Sequence, residues 1–186
     1  MNAQHLERCS SVEWAEHVES TLLPWAVDGR RLGDDLLEVG PGPGATTNLL
    51  RHRVARLTAI EYDAALAVNL HQRFGHTNVR VVHGDGTRLP FPDRTFSAAA
   101  SFTMLHHVPS AALQDALLAE IARVLRPGGL LIGTDSLDSP AWRELHEGDV
   151  CVPIDPLTFG DRLRRAGFAE VDLTVWSIGT RFAASR

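Results

Sequence analysis

A short apolar run, Leu36-Leu37-Glu38-Val39, breaks off on Gly40-Pro41-Gly42-Pro43-Gly44 and gives way to a periodic segment from Thr46 to Val54. A run this short reads as a buried strand and the periodic segment as a helix. The glycines between them let the backbone turn sharply and approach a ligand closely, and the helix start supplies free N–H groups. A chain built on this unit is confined to a layered α/β fold. In such folds ligands sit beyond the carboxyl ends of the strands.

The rest of the chain repeats the alternation. Arg56 to Ile60 reads as a second strand ending at Glu61, and Asp63 caps a helix that Gly75 closes. Val79 to Val82 reads as a third strand and Phe96 to Ser101 as a fourth. Leu113, Leu117, Ile121 and Leu125 form the stripe of a long helix, which Arg126-Pro127-Gly128-Gly129 stops before a fifth strand, Leu130 to Thr134. Strands alternating with helices imply a parallel sheet joined by right-handed crossovers. The tail departs from this rhythm. After a helix from Leu157 to Ala166, Val171 to Trp176 and Thr180 to Ala184 flank Ser177-Ile178-Gly179, a connection so short that the two strands pair antiparallel. Before the first strand, Ser10 and Glu13 form a capping box for an opening helix that runs to about Pro24.

The 186 residues predict one domain, with 1–30 as an N-terminal helical segment and 36–186 as the core. Hydrophobic residues make up 44% and charged residues 22%, which excludes a disordered chain. The net charge of −5 disfavours a nucleic-acid partner. All 18 basic residues are arginine, so neither a Schiff-base lysine nor a P-loop lysine is available. The polar start, the lack of any run of ~18 apolar residues and the two cysteines fit a cytoplasmic protein with no membrane span.

Glu61 follows the glycine loop by about 20 residues, where an acid accepts the hydroxyls of a ribose. Gly40, Gly42 and Ala45 also fit a dinucleotide fingerprint, so an NAD(P)-dependent oxidoreductase is one alternative. Glu38 argues against it, since an anion there repels a pyrophosphate and suits a cationic cofactor. So do Asp85, placed to accept from an adenine amino group, and the tail hairpin.

The segments LLEVGPGPGATT, AIEYD, GDGTRLPFPDRTFSAAAS, MLHHV and LRPGGLLIGTDS occur in this order between Leu36 and Arg186. Together they resemble the class I S-adenosylmethionine-dependent methyltransferases, above all the ubiquinone/menaquinone biosynthesis methyltransferase-like group. The resemblance implies a Rossmann-like, seven-stranded, mostly parallel sheet of order 3-2-1-4-5-7-6 with an antiparallel C-terminal hairpin. It implies S-adenosylmethionine as cofactor, with S-adenosylhomocysteine as product. Gly40, Pro41, Gly42 and Gly44 then form the loop under the cofactor. Glu38 orients its methionine end and Glu61 its ribose, with Tyr62 beside the adenine. Asp85 and Gly86 contact the adenine, and Ser101 and Phe102 line the cofactor. Ser97 stands where the family usually has aspartate, a change expected to be structural.

A sulfonium methyl is already activated, so alignment for in-line displacement carries most of the chemistry. His106 is the candidate base, with His107 as a substrate residue beside it. Trp14 and Trp142 are candidate substrate residues in variable segments, and the acceptor is expected to be a small molecule. No metal is expected, because the histidines lack i,i+4 ligand spacing, the cysteines lack CxxC, and Asp135 alone makes no site. Arg162, Arg164 and Arg165 are expected to form a solvated face. A non-enzymatic S-adenosylmethionine-binding module fits the same cofactor residues, and the acidic charge disfavours an RNA or protein methyltransferase.

Overall fold

The computed structural model describes residues 1–177 and 179–186. Seven strands form one sheet of order β3-β2-β1-β4-β5-β7-β6. The strands are β1 (Asp35–Val39), β2 (Arg56–Glu61), β3 (Val79–His83), β4 (Phe96–Phe102), β5 (Leu125–Asp135), β6 (Glu170–Trp176) and β7 (Gly179–Ser185). The first five pair in parallel, and β7 runs antiparallel to both β5 and β6. Fold and strand order are those the resemblance implied. Ile178, in the expected hairpin turn, lies outside the described residues.

Both sheet faces are covered. On one, α6 (Ala111–Val124) and α8 (Pro156–Arg165) bury Leu117, Ile121, Phe159 and Leu163 against β4, β5 and β7. On the other, α5 (Ala64–Phe74) and the N-terminal helices bury Leu70, Phe74, Leu22 and Ala26. Alanines at 98, 99 and 100 let β4 lie deep in the centre with both faces buried. Asp63 caps α5 as expected, accepting from Ala65 and Leu66 N–H.

The N-terminus differs from its sequence reading. A first helix, α1 (Ala3–Cys9), is capped by Asn2. The cap of α2 (Val12–His17) is Ser11, not Ser10, accepting from Trp14 N–H at 3.1 Å. Beyond a π-helical turn at Val18–Leu22, α3 (Leu23–Val27) continues past Pro24, because a proline in a helix's first turn forfeits no intrahelical bond. The helix after the glycine loop, α4 (Ala45–Leu50), ends earlier than expected.

The Arg126-Pro127-Gly128-Gly129 segment ends α6 yet belongs to β5. Leu125 pairs with Phe96 across a register shift, and Gly128 N–H and Gly129 C=O bond the backbone of Arg186. Ser97 is structural, as expected: its hydroxyl accepts from Asp35 N–H at 2.9 Å and lies 2.8 Å from Leu32 C=O, tying β4 to the entry of β1. Arg162 is not solvated. It is buried on α8, bonding Asp115 at 2.6 Å and the buried Gln114 at 2.8 Å.

Candidate functional site

The carboxyl ends of β1, β2, β3 and β4 open into a cavity of about 600 Å³. Gly40 and Gly42 line it with φ of +66° and +56°, a left-handed backbone that side chains resist. At Gly40 a Cβ would also stand 2.2 Å from Met104 Cγ, so this turn has no room for alanine. Glu61 secures the loop: its carboxylate accepts from Gly42 N–H at 3.0 Å and from Asp63 N–H at 2.9 Å. Each oxygen keeps a further lone pair for a ligand on the cavity side. Asp85 closes an Asx turn, with Oδ1 accepting from Thr87 N–H and Oγ at 2.8 Å. Gly86 lets this turn rest on Val39 and Leu117, and Tyr62 stands 75% exposed at the rim.

Of the expected cofactor residues, Gly40, Pro41, Gly42, Glu61, Tyr62, Asp85, Gly86 and Phe102 share this one cavity. Glu38, Gly44 and Ser101 are not on its wall. Glu38 lies beneath the loop, 1% exposed, between Ala59 and Ala100 of the neighbouring strands. Thr46 and Thr47 hydroxyls donate to its two oxygens, the second at 2.7 Å, which pins the start of α4 to β1. Its effect on a ligand therefore passes through the loop.

Burial pushes the Glu38 carboxyl up to about 7, against the two threonine hydrogen bonds, and the Glu61 charge adds to the rise. An unfolded glutamate ionises near 4.5, whereas the folded one holds its proton to about 7. This group's stabilisation is therefore complete below about 4.5 and declines as pH rises to about 7. Glu38→Gln, which keeps partners for both hydroxyls, is expected to flatten that decline in thermal melts recorded across the interval. An unchanged slope would show that Glu38 does not titrate there.

The other half of the cavity is apolar. Met1, Cys9 from α1 and Trp14 from α2 line it, as do Met104, Leu113 and Val150. Thr103, at the end of β4, has φ +47°, a costly conformation for a β-branched residue. Its N–H donates to Thr134 C=O at 2.8 Å, and it too faces the cavity. The buried Gln114 amide donates to Leu105 C=O at 2.9 Å and Val152 C=O at 2.8 Å, which sets the 3₁₀ turn Leu105–His107 against the 150–154 segment.

Of the candidate catalytic and substrate residues, Trp14 and His107 reach the cavity wall, while His106 and Trp142 do not. His106 is 1% exposed behind the wall, its Nδ1 2.5 Å from Asp135 Oδ1. Trp142, on α7 (Pro140–Leu145), packs edge-on against His106 at 5.0 Å between ring centroids. The 3₁₀ turn after β4 carries His106 away from the cavity and His107 toward it. Desolvation by burial lowers His107 to about 3 and His5 to about 4, helped by neighbouring histidines. Met1, His5 and Cys9 carry no recognisable motif, and only docking of α1 places them here.

A sheet with a reversed last strand, a glycine loop over the end of β1 and acids closing β2 and β3 decide the comparison. The methyltransferase domain pattern matches residues 37–133, just over half of the 186 residues. The chain belongs to the methyltransferase domain family. The methyltransferases of this fold are S-adenosylmethionine-dependent, and the cavity residues fit that cofactor: a glycine turn without room for Cβ, and two carboxylates, Glu61 and Asp85, lining the same cavity.

This methyltransferase-family chain is 34% identical over 128 residues to a fatty-acid O-methyltransferase of Mycolicibacterium smegmatis, covering 66% of this chain and 44% of that protein. It is 35% identical over 107 residues to a demethylmenaquinone methyltransferase of Tropheryma whipplei, covering 56% and 42%. The matches thus span less than half the length of these relatives. In fold it matches the solved DhpI–SAM–HEP complex with a TM-score of 0.72 at 21% identity, covering 98% of this chain and 94% of that one. Among the described residues no helix is long and apolar enough to cross a membrane.

Proposed function

We propose that this chain transfers the methyl group of S-adenosylmethionine to a small, largely apolar acceptor by in-line displacement. The observation that carries this is the division of one cavity into two chemistries. The glycine loop, Glu61 and Asp85 line one part, and Trp14, Met104, Leu113 and Val150 line the other. When bound, the cofactor supplies a methyl already activated on its sulfonium. Glu61 accepts the ribose hydroxyls, and its bonds to Gly42 and Asp63 couple that contact to the shape of the loop. Asp85 accepts from the adenine amino group. The loop and the apolar wall hold donor and acceptor in line, and such alignment contributes roughly 7–11 kcal/mol.

No general base is assigned. His106 lies off the wall, and a His107 held near 3 is far from the neutral value at which a base works best. The relatives' names, a fatty-acid and a demethylmenaquinone methyltransferase, are those of enzymes with apolar acceptors and support the same class here. The test is release of S-adenosylhomocysteine with a panel of fatty acids, quinols, polar metabolites, peptides and RNA. Release driven by an apolar small molecule is expected. Release driven by peptide or RNA instead would overturn the acceptor class.

A further inference from the structure

Four histidines from three distant segments meet at the cavity wall, His5 and His107 lining it and His106 and His146 behind them: His5 lies on α1, His106 and His107 on the turn after β4, and His146 at the end of α7. One ring nitrogen from each lies within 4.8 Å of the corresponding nitrogens of the others. His5, His106 and His146 are buried to 6% exposure or less. His5 Nδ1, His106 Nε2, His146 Nε2 and both nitrogens of His107 are buried with no hydrogen-bond partner among the described residues. An unsatisfied buried polar atom costs about 1–3 kcal/mol. Five at one point, all on rings that do not bond one another, call for a shared partner.

The surroundings orient the rings. Asp135 takes His106 Nδ1–H at 2.5 Å, and Trp142 C=O takes His146 Nδ1–H at 2.7 Å, so both rings turn Nε2 inward as a lone pair. A carboxylate or carbonyl behind the outer nitrogen is the usual support of a metal-bound imidazole. Asp149 Oδ2 lies 3.8 Å from His107 Nδ1 and also accepts from Asn2 N–H at 2.9 Å. Asp135 and Asp149 thus place two carboxylates beside the four imidazoles.

We propose that His5, His106, His107 and His146 form a closed, four-imidazole site for a divalent transition metal of the zinc type. Imidazole nitrogen suits zinc and its neighbours, whereas magnesium and calcium take oxygen. Four protein donors complete a tetrahedral shell, the pattern of a structural site. Tetrahedral zinc at about 2.05 Å sets its nitrogens about 3.4 Å apart, so the widest pair closes by about 1.4 Å through small ring rotations. The site clamps α1. A seven-residue helix is marginal alone, yet α1 supplies His5 and Cys9 to the cavity wall, with Met1 just ahead of it. The metal would fix that wall across the acceptor half. The sequence expectation of no metal followed from ligand spacing, and here the fold, not the spacing, assembles the ligands.

The test uses the full chain, without an affinity tag, and reads metal content rather than methyl transfer. After zinc loading and desalting, about one equivalent per chain is expected by mass spectrometry. Cobalt(II) substitution is expected to give the intense visible bands of a tetrahedral nitrogen site. His146→Ala, checked for folding by circular dichroism, is expected to lose more than the roughly 10–100-fold in affinity that removal of a supporting group costs. His5→Cys is expected to keep cobalt and add a near-ultraviolet thiolate band, a signature that a merely structural His5 would not give. Failure of the wild-type chain to retain zinc would overturn the proposal. So would stoichiometric metal unaffected by His146→Ala, or cobalt in His5→Cys without the thiolate band.

Discussion

Glu61→Ala is expected to weaken S-adenosylhomocysteine binding about 100-fold while leaving the chain folded. The carboxylate lies on the cavity wall, and its protein partners are the N–H groups of Gly42 and Asp63. Hydrogen bonds to a charged group contribute about 1.5–3 kcal/mol each. The proposed ribose role gives Glu61 two such contacts, whose loss would cost about 3 kcal/mol, and every 1.4 kcal/mol is tenfold in affinity. Gly42 lines the cavity, so water can replace the lost carboxylate at its N–H and the fold bears little of the loss. Calorimetric titration of the variant checks this. A change of less than about threefold would show that Glu61 holds only the loop and not the ligand.

Phe182→Ala is expected to produce the largest loss of stability. Phe182 is fully buried on β7, packs edge-on against Phe159 of α8 at 5.2 Å, and covers Gly133 of β5 so closely that a Cβ there would stand 2.3 Å from its ring. It therefore joins the antiparallel hairpin to both the parallel sheet and the last helix. Truncating a buried phenylalanine costs about 3–5 kcal/mol. At about 2–4 °C per kcal/mol for a chain of this size, the melting temperature is expected to fall by roughly 6–20 °C. A fall of less than about 3 °C would mean that the hairpin contributes little to the core.

The sheet was legible in the sequence because its signals are local. Apolar runs such as Leu36–Val39 are short and end on glycine or acid, and a hairpin follows from the brevity of the Ser177–Gly179 connection. That Glu61 and Asp85 line one cavity was legible for the same reason, since each acid follows its own strand. Long-range contacts decided what was missed. Leu125 reads as the end of a helical stripe and Arg126 to Gly129 as its breaker, but Phe96 and Arg186, far away in the chain, supply the strand partners. Glu38 reads as a ligand-facing acid, yet alanines on both neighbouring strands leave room for it to turn under the loop toward Thr46 and Thr47. The histidine cluster has no sequence signature, because His5 and His146 reach His106 only through the docking of α1 and α7.

The cavity over β1, β2 and β3 is expected to hold the adenosine of S-adenosylmethionine. Titration of the full chain with S-adenosylhomocysteine, and separately with NADH, tests it most directly. Micromolar binding of the first and none of the second is expected. Heat from NADH alone, or from neither compound, would contradict it and return Glu61 and Asp85 to the role of strand-end acids that only shape the loop.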